Sequence, residues 1–107
     1  MDNKYKKDKK ITILKYEEGV DDNFLPIDVL KPMYENIWCY YRHLSGKELS
    51  IQNSIHSEAK VLFVINYRKN INTDMMILYN GDYYNITEVD DYEGKKTDLK
   101  LYASLKQ

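Results

Sequence analysis

Apolar residues recur along this chain mainly at spacing two, and β-branched or aromatic types fill the runs that carry them. That pattern predicts strands throughout, with helix in the minority. Ile11, Ile13 and the ring of Tyr16 read as a first strand, followed by an acidic, glycine-containing turn at 17–23. Residues 17–33 carry no clean period. Pro26 suits the first turn of a short helix and Pro32 disfavours helical geometry at Lys31, so one helical turn is predicted between them. The run at 36–44 is a strong strand, with Trp38, Tyr40 and Arg42 on one side and Ile37, Cys39, Tyr41 and His43 on the other. Both faces are expected to be partly covered and Trp38 substantially buried. At 60–67 Val61, Phe63, Ile65 and Tyr67 form one face and Leu62 and Val64 the other, as in a central strand.

The sharpest local signal lies at 75–89, where two apolar runs flank Asn80-Gly81, the dipeptide that best tolerates the positive φ angles of a type I′ turn. A two-residue turn there pairs Tyr79 with Asp82, Leu78 with Tyr83, Ile77 with Tyr84 and Met75 with Ile86. Met75, Ile77, Tyr79, Tyr84 and Ile86 then share a core face. A polar turn at 90–96 leads to a last strand in which Leu99, Leu101 and Ala103 alternate with Lys100 and Tyr102. The fold expected is mainly β, a small antiparallel barrel of about six strands, because closure removes exposed edges. Its core is to include Trp38, Phe63, Ile65, Tyr67, Ile77, Tyr79, Tyr84, Ile86 and Leu101. Residues 45–59 are expected as a long mobile loop. The competing reading is a short amphipathic helix, since Ile51, Ile55 and Ala59 recur at spacing four.

Composition narrows the functional classes. A chain of 107 residues makes one domain, here a flexible basic tail at 1–10 and a barrel at 11–107. No run approaches the roughly 18 apolar residues of a spanning helix, and the lysine-rich start lacks the apolar stretch of a secretory signal. The expected starting compartment is therefore the cytoplasm, with no membrane partner. Sixteen Lys and Arg against 17 Asp and Glu leave a net charge of −1, too little for an overall cationic field. Only the tail stands out: Lys4, Lys6, Lys7, Lys9 and Lys10 outweigh two aspartates. A solvated terminus explains it more simply than a DNA contact does.

Catalytic chemistry is thinly supplied, by two histidines, one cysteine and no glycine-rich phosphate loop. Cys39 and His43 share a strand face, but four strand residues span about 13 Å, too far to share a metal or a proton. On a helix they would meet. Glu17-Glu18, Asp21-Asp22 and Asp90-Asp91 fit no calcium loop and read as turn residues. No enzymatic activity, cofactor or metal is expected. The eleven tyrosines suit a core and a protein interface, and less well a base-stacking platform, which would interleave them with Lys and Arg.

The order of these features carries a resemblance. Ile37-Trp38-Cys39, then Ser45-Gly46-Lys47-Glu48, a polar stretch ending at Ala59, a strand ending in Asn66-Tyr67, and Ile77-x-Tyr79-x-Gly81-x-x-Tyr84-x-Ile86-x-x-Val89 together resemble the phage head-tail joining family. These proteins are also called head-tail adaptor or head-closure proteins. The likeness spans about 36–104, with a weaker echo from Ile11 to Tyr16. Asn66 stands where the family usually carries arginine, and 17–33 is longer than is common. The resemblance implies a non-enzymatic virion subunit that forms a ring with copies of itself at the portal vertex. It would seal the DNA exit channel and offer the tail a platform, with portal or adaptor and tail proteins as partners and packaged DNA as a possible contact. It would act at the head-tail interface after assembly in a host cytoplasm, or be encoded by a prophage. By resemblance Ser45, Gly46, Lys47, Glu48, Leu49 and Ile51 would face the channel or a neighbouring subunit. The alternatives are an oligonucleotide-binding barrel and a tail-completion or terminator subunit.

Overall fold

A computed structural model describes residues 5–46, 59–91, 94 and 97–106. Among these, six strands are ordered β1 (Lys9–Val20), β2 (Pro26–His43), β3 (Val61–Asn66), β4 (Met76–Tyr79), β5 (Asp82–Asp90) and β6 (Asp98–Leu105). They close into an antiparallel barrel in the order β1-β2-β3-β6-β5-β4. The predicted mainly β barrel is therefore the observed fold. The segment at 47–58, expected as a loop, lies outside the described residues.

Strand alternation builds the interior. Ile11, Ile13, Ile37, Cys39, Phe63, Ile65, Ile77, Tyr84, Ile86, Leu99, Leu101 and Ala103 are all buried in one cluster, with Tyr41, Tyr67 and Tyr79 half-buried against it. Phe63 sits among three tyrosines, its ring 5.1 Å from Tyr41, 5.7 Å from Tyr79 and 5.3 Å from Tyr84. These aromatic contacts come from four strands and tie them together across the interior. Leu62 and Val64 are equally buried on the other face of β3, beneath Leu44, Ala59 and the rings of Tyr5, Tyr40 and Tyr102. β3 is thus central, as its pattern implied, and pairs with β2 on one side and β6 on the other.

The Asn80-Gly81 turn forms as predicted. Asn80 has φ 53° and Gly81 φ 86°, and the ladder pairs Tyr79 with Asp82, Leu78 with Tyr83 and Ile77 with Tyr84.

Two expectations fail. Residues 17–33 hold neither an irregular stretch nor a helical turn; β1 and β2 run through them as one long hairpin, with the turn at 21–25. The prolines misled because each is tolerated in a strand that has a partner on only one side. Trp38, expected in the core, is 54% exposed. Its neighbours Ile37 and Cys39 point inward, so the pleat forces Trp38 outward where no described element covers it. At the start of the described residues Tyr5 packs on Tyr40 at 5.2 Å, Lys7 Nζ lies 3.0 Å from Asp98, and Lys9 and Lys10 are in β1.

Candidate functional site

The long hairpin outruns the barrel. β4 pairs with β1 only from Thr12 to Leu14, and β3 pairs with β2 only from Cys39 to His43. Lys15–Val20 and Pro26–Lys31 therefore pair with each other alone among the described residues, forming a two-stranded arm on a molecule 53 Å long and 30 Å across. At its root the register shifts between Ile11 and Ile13 and again between Ile13 and Leu14, so β2 carries extra residues there. Asn36 sits at this bulge with φ 54°, a left-handed conformation that asparagine tolerates. Bulges bend and twist a strand, which lets the pair leave the barrel at its rim. The loop before β4 braces the root: Tyr34 donates a hydrogen bond to the Lys69 carbonyl at 3.1 Å, and the Arg68 guanidinium lies 5.1 Å from the Tyr34 ring centre.

The tip is organised by Asp21. Its carboxylate accepts from the backbone N–H groups of Asn23 at 2.8 Å and Leu25 at 2.9 Å, while its carbonyl accepts from the Phe24 N–H. This arrangement holds Phe24 at φ 61°. A bulky residue in the left-handed region costs about 1–2 kcal/mol. Phe24 is nevertheless 83% exposed, and Val20, Leu25 and Ile27 around it are 61%, 58% and 41% exposed. Glu17, Glu18, Asp21, Asp22 and Asp28 share this segment, 17–28 contain no lysine or arginine, and Glu17 is ion-paired with Lys15 at 3.4 Å. A strained, exposed phenylalanine within an apolar and acidic tip is a protein-docking feature more than a stability feature.

A second exposed aromatic lies far from the tip. The Lys10 ammonium stands 4.6 Å over the Trp38 ring, from the position directly opposite on β1. Two residues along β2 on the same outward side, Tyr40 meets Tyr5, and Lys100 Nζ approaches the Tyr5 ring at 5.6 Å. The outcome is an aromatic and basic face on the barrel wall.

The chemistry expected from the scarce reactive residues is correspondingly muted. Cys39 is fully buried, and burial pushes its thiol up to about 12. Burial likewise raises the Tyr41 phenol to about 12, helped by the hydrogen bond its hydroxyl donates to Tyr84. His43, on the same strand, meets the Tyr41 hydroxyl at 3.3 Å instead of the thiol. Among the described residues no three His, Cys, Asp or Glu side chains gather closely enough to hold a metal. Of the expected channel-facing residues, Ser45 and Gly46 are exposed beyond the end of β2, and Lys47, Glu48, Leu49 and Ile51 lie outside the described residues.

Sequence reading missed the arm. Its signal was present in the mirrored apolar positions that the register brings together, Tyr16 with Leu30 and Val20 with Pro26 about a turn-forming Asp21-Asp22-Asn23. An exposed ribbon has no buried face to impose strict alternation, so the prolines dominated the reading.

Among the described residues the molecule is a closed barrel with a filled interior, a braced projecting hairpin and two exposed aromatic patches. The chain belongs to the phage head completion protein family, whose model matches residues 3–105. The resemblance seen at 36–104 thus extends to nearly the whole chain. The fold is similar to the solution structure of protein SF1141 from Shigella flexneri 2a, with a TM-score of 0.79 and 21% sequence identity, covering 97% of this chain and 96% of that one. No curated protein matches the chain. Family membership makes the protein a phage structural component that interacts with other head or tail proteins. No described helix is long and apolar enough to cross a membrane.

Proposed function

We propose that this protein is the head-closure subunit that forms a ring at the portal vertex, seals the DNA exit channel and carries the tail attachment platform. Membership of the head completion family supports this reading, and the single structural observation that carries it is the projecting arm with its exposed Phe24. A subunit acting alone has no use for such an arm, whereas an assembled one can repeat a modest contact around a ring until the sum is stable. On this reading no covalent chemistry is performed. The segment from Ser45 to Ile51, including Lys47, Glu48 and Leu49, faces the channel or the next subunit, where packaged DNA is a neighbour.

The test is assembly in an infected or induced cell with the gene deleted and then restored in trans. Head closure requires that DNA-filled heads accumulate without tails and leak their DNA, and that the wild-type chain restores both. Heads that keep their DNA and accept tails without this protein overturn the reading. Tails of abnormal length with normal heads would instead point to a tail-terminator role.

A further inference from the structure

We infer that the tip of the arm docks head to tail on the Trp38 face of a second copy of this chain, with Phe24 set against the Trp38 ring. This inference rests on the ring reading above and names the surfaces that would build it.

Charge is the first argument. The chain is close to neutral at −1, yet its charges are sorted between distant regions. The segment 17–28 has five carboxylates and no cation, and of the five Glu17 is ion-paired with Lys15 at 3.4 Å, which leaves Glu18, Asp21, Asp22 and Asp28 to make the end of the arm acidic. On the Trp38 face Lys10 stands over the indole, while Lys100 lies opposite Asp90 on β5 and Lys7 and Lys9 lie against Asp98 and Asp8, so Lys10 is the cation set beside the ring. An acidic tip and the Lys10 ammonium over Trp38 attract each other and steer encounter. The second argument is apolar: Phe24 at 83% and Trp38 at 54% exposure are large aromatics left in water at the centres of the two patches. Aromatic anchors rimmed by complementary charge are the usual core of an interface.

Reach supplies the third argument. Val20 lies ten residues beyond Lys10 on the same strand, about 33 Å along an extended chain. The tip therefore cannot fold back on its own Trp38, and the two patches satisfy each other only between molecules. Because they are different surfaces, the contact is heterologous, and repetition yields a closed ring if the rotation closes. Asp21 holds the tip turn already formed, which lowers the ordering cost of docking.

Full-length Phe24→Cys and Trp38→Cys chains, mixed in equal amounts and oxidised, test the contact directly; the native Cys39 is fully buried. The mixture should give a disulfide-linked heterodimer that neither variant gives alone, and the wild-type chain should sediment as an oligomer at rising concentration. Phe24→Ser and Lys10→Glu should each raise the dissociation constant about tenfold or more while leaving the thermal melt of the barrel in place. If the wild-type oligomer forms but the heterodimer does not, the ring reading survives and this interface is wrong. Linkage only between two Phe24→Cys chains means tip-to-tip contact and also overturns it. A chain that stays monomeric at every concentration removes the ring reading and this inference together. Loss of oligonucleotide binding on Trp38→Ser, with self-association intact, would assign the face to nucleic acid and overturn the inference as well.

Discussion

β1 and β2 each pass through two environments, and the same pair of strands behaves differently in each. Inside the barrel, Ile11 and Ile13 are buried and β1 gains β4 as a second neighbour. Beyond Leu14 the pair has no further strand beside it among the described residues, only the Tyr16 hydroxyl reaching back to the Met76 sulfur; its side chains are exposed or half-exposed, and its tip holds a bulky residue in a left-handed conformation. A two-stranded ribbon is marginal in water, whereas a closed sheet with a packed interior is cooperative. The barrel stores the stability of the molecule. The arm draws on that stability to stay formed, through the bulge at Asn36 and the brace from Tyr34 to the loop carrying Lys69.

The contrast can be broken most severely at Phe63. Truncation to alanine empties the centre of the aromatic cluster and should cost about 3–5 kcal/mol in denaturant unfolding. A cost below about 1 kcal/mol would show that the barrel is not the stable body described. Gly81→Val forces a β-branched residue toward positive φ at the β4/β5 turn and should cost about 1–3 kcal/mol. At the tip the sign reverses. Phe24→Gly relieves left-handed strain and removes no buried contact, so unfolding should be unchanged or favour the fold by up to about 1 kcal/mol. A loss of 2 kcal/mol or more there would make the tip part of the core.

Hydrogen exchange sharpens the comparison without substitution. Amides of 15–20 and 27–31 should exchange well before those of β3 in the isolated chain, since the ribbon can open locally while the barrel remains closed. Equal protection would mean that arm and barrel open as one unit.

The last contrast is read at alkaline pH. Cys39 and Tyr41 are held neutral in the fold, each pushed up to about 12 from ordinary values of 9.0 and 10.0. The unfolded chain loses these protons first, so stability should fall as pH rises from about 9 towards 12. Cys39→Val should flatten the part of that decline between pH 9 and 10. An unchanged slope in urea midpoints would show that the thiol is not shielded.

How much of this was legible in the sequence follows the same division. Where burial imposes alternation, at 60–67, at 75–89 and at 98–105, the strands and their inward faces could be read from the residues. Asn80-Gly81 even fixed the register of β4 against β5. Trp38 shows the limit, because alternation told its side correctly but not whether anything covers that side. The arm was illegible for a related reason: solvent on both faces of a ribbon leaves composition free, so Pro26 and Pro32 were read as helix punctuation. The patches proposed for docking emerged only when the register set Lys10 opposite Trp38 and carried Val20 far from both.

Those two prolines have a further consequence, for colloidal behaviour before assembly. A subunit that holds out a ribbon with open edges and an apolar end is at risk of adding strand to strand with its copies without limit. Pro26 and Pro32 each remove an N–H donor from β2, the bulges at the root interrupt its ladder, and the carboxylates at the end repel one another. The arm is thereby a poor template for fibril growth. It can stay displayed without recruiting its copies strand to strand.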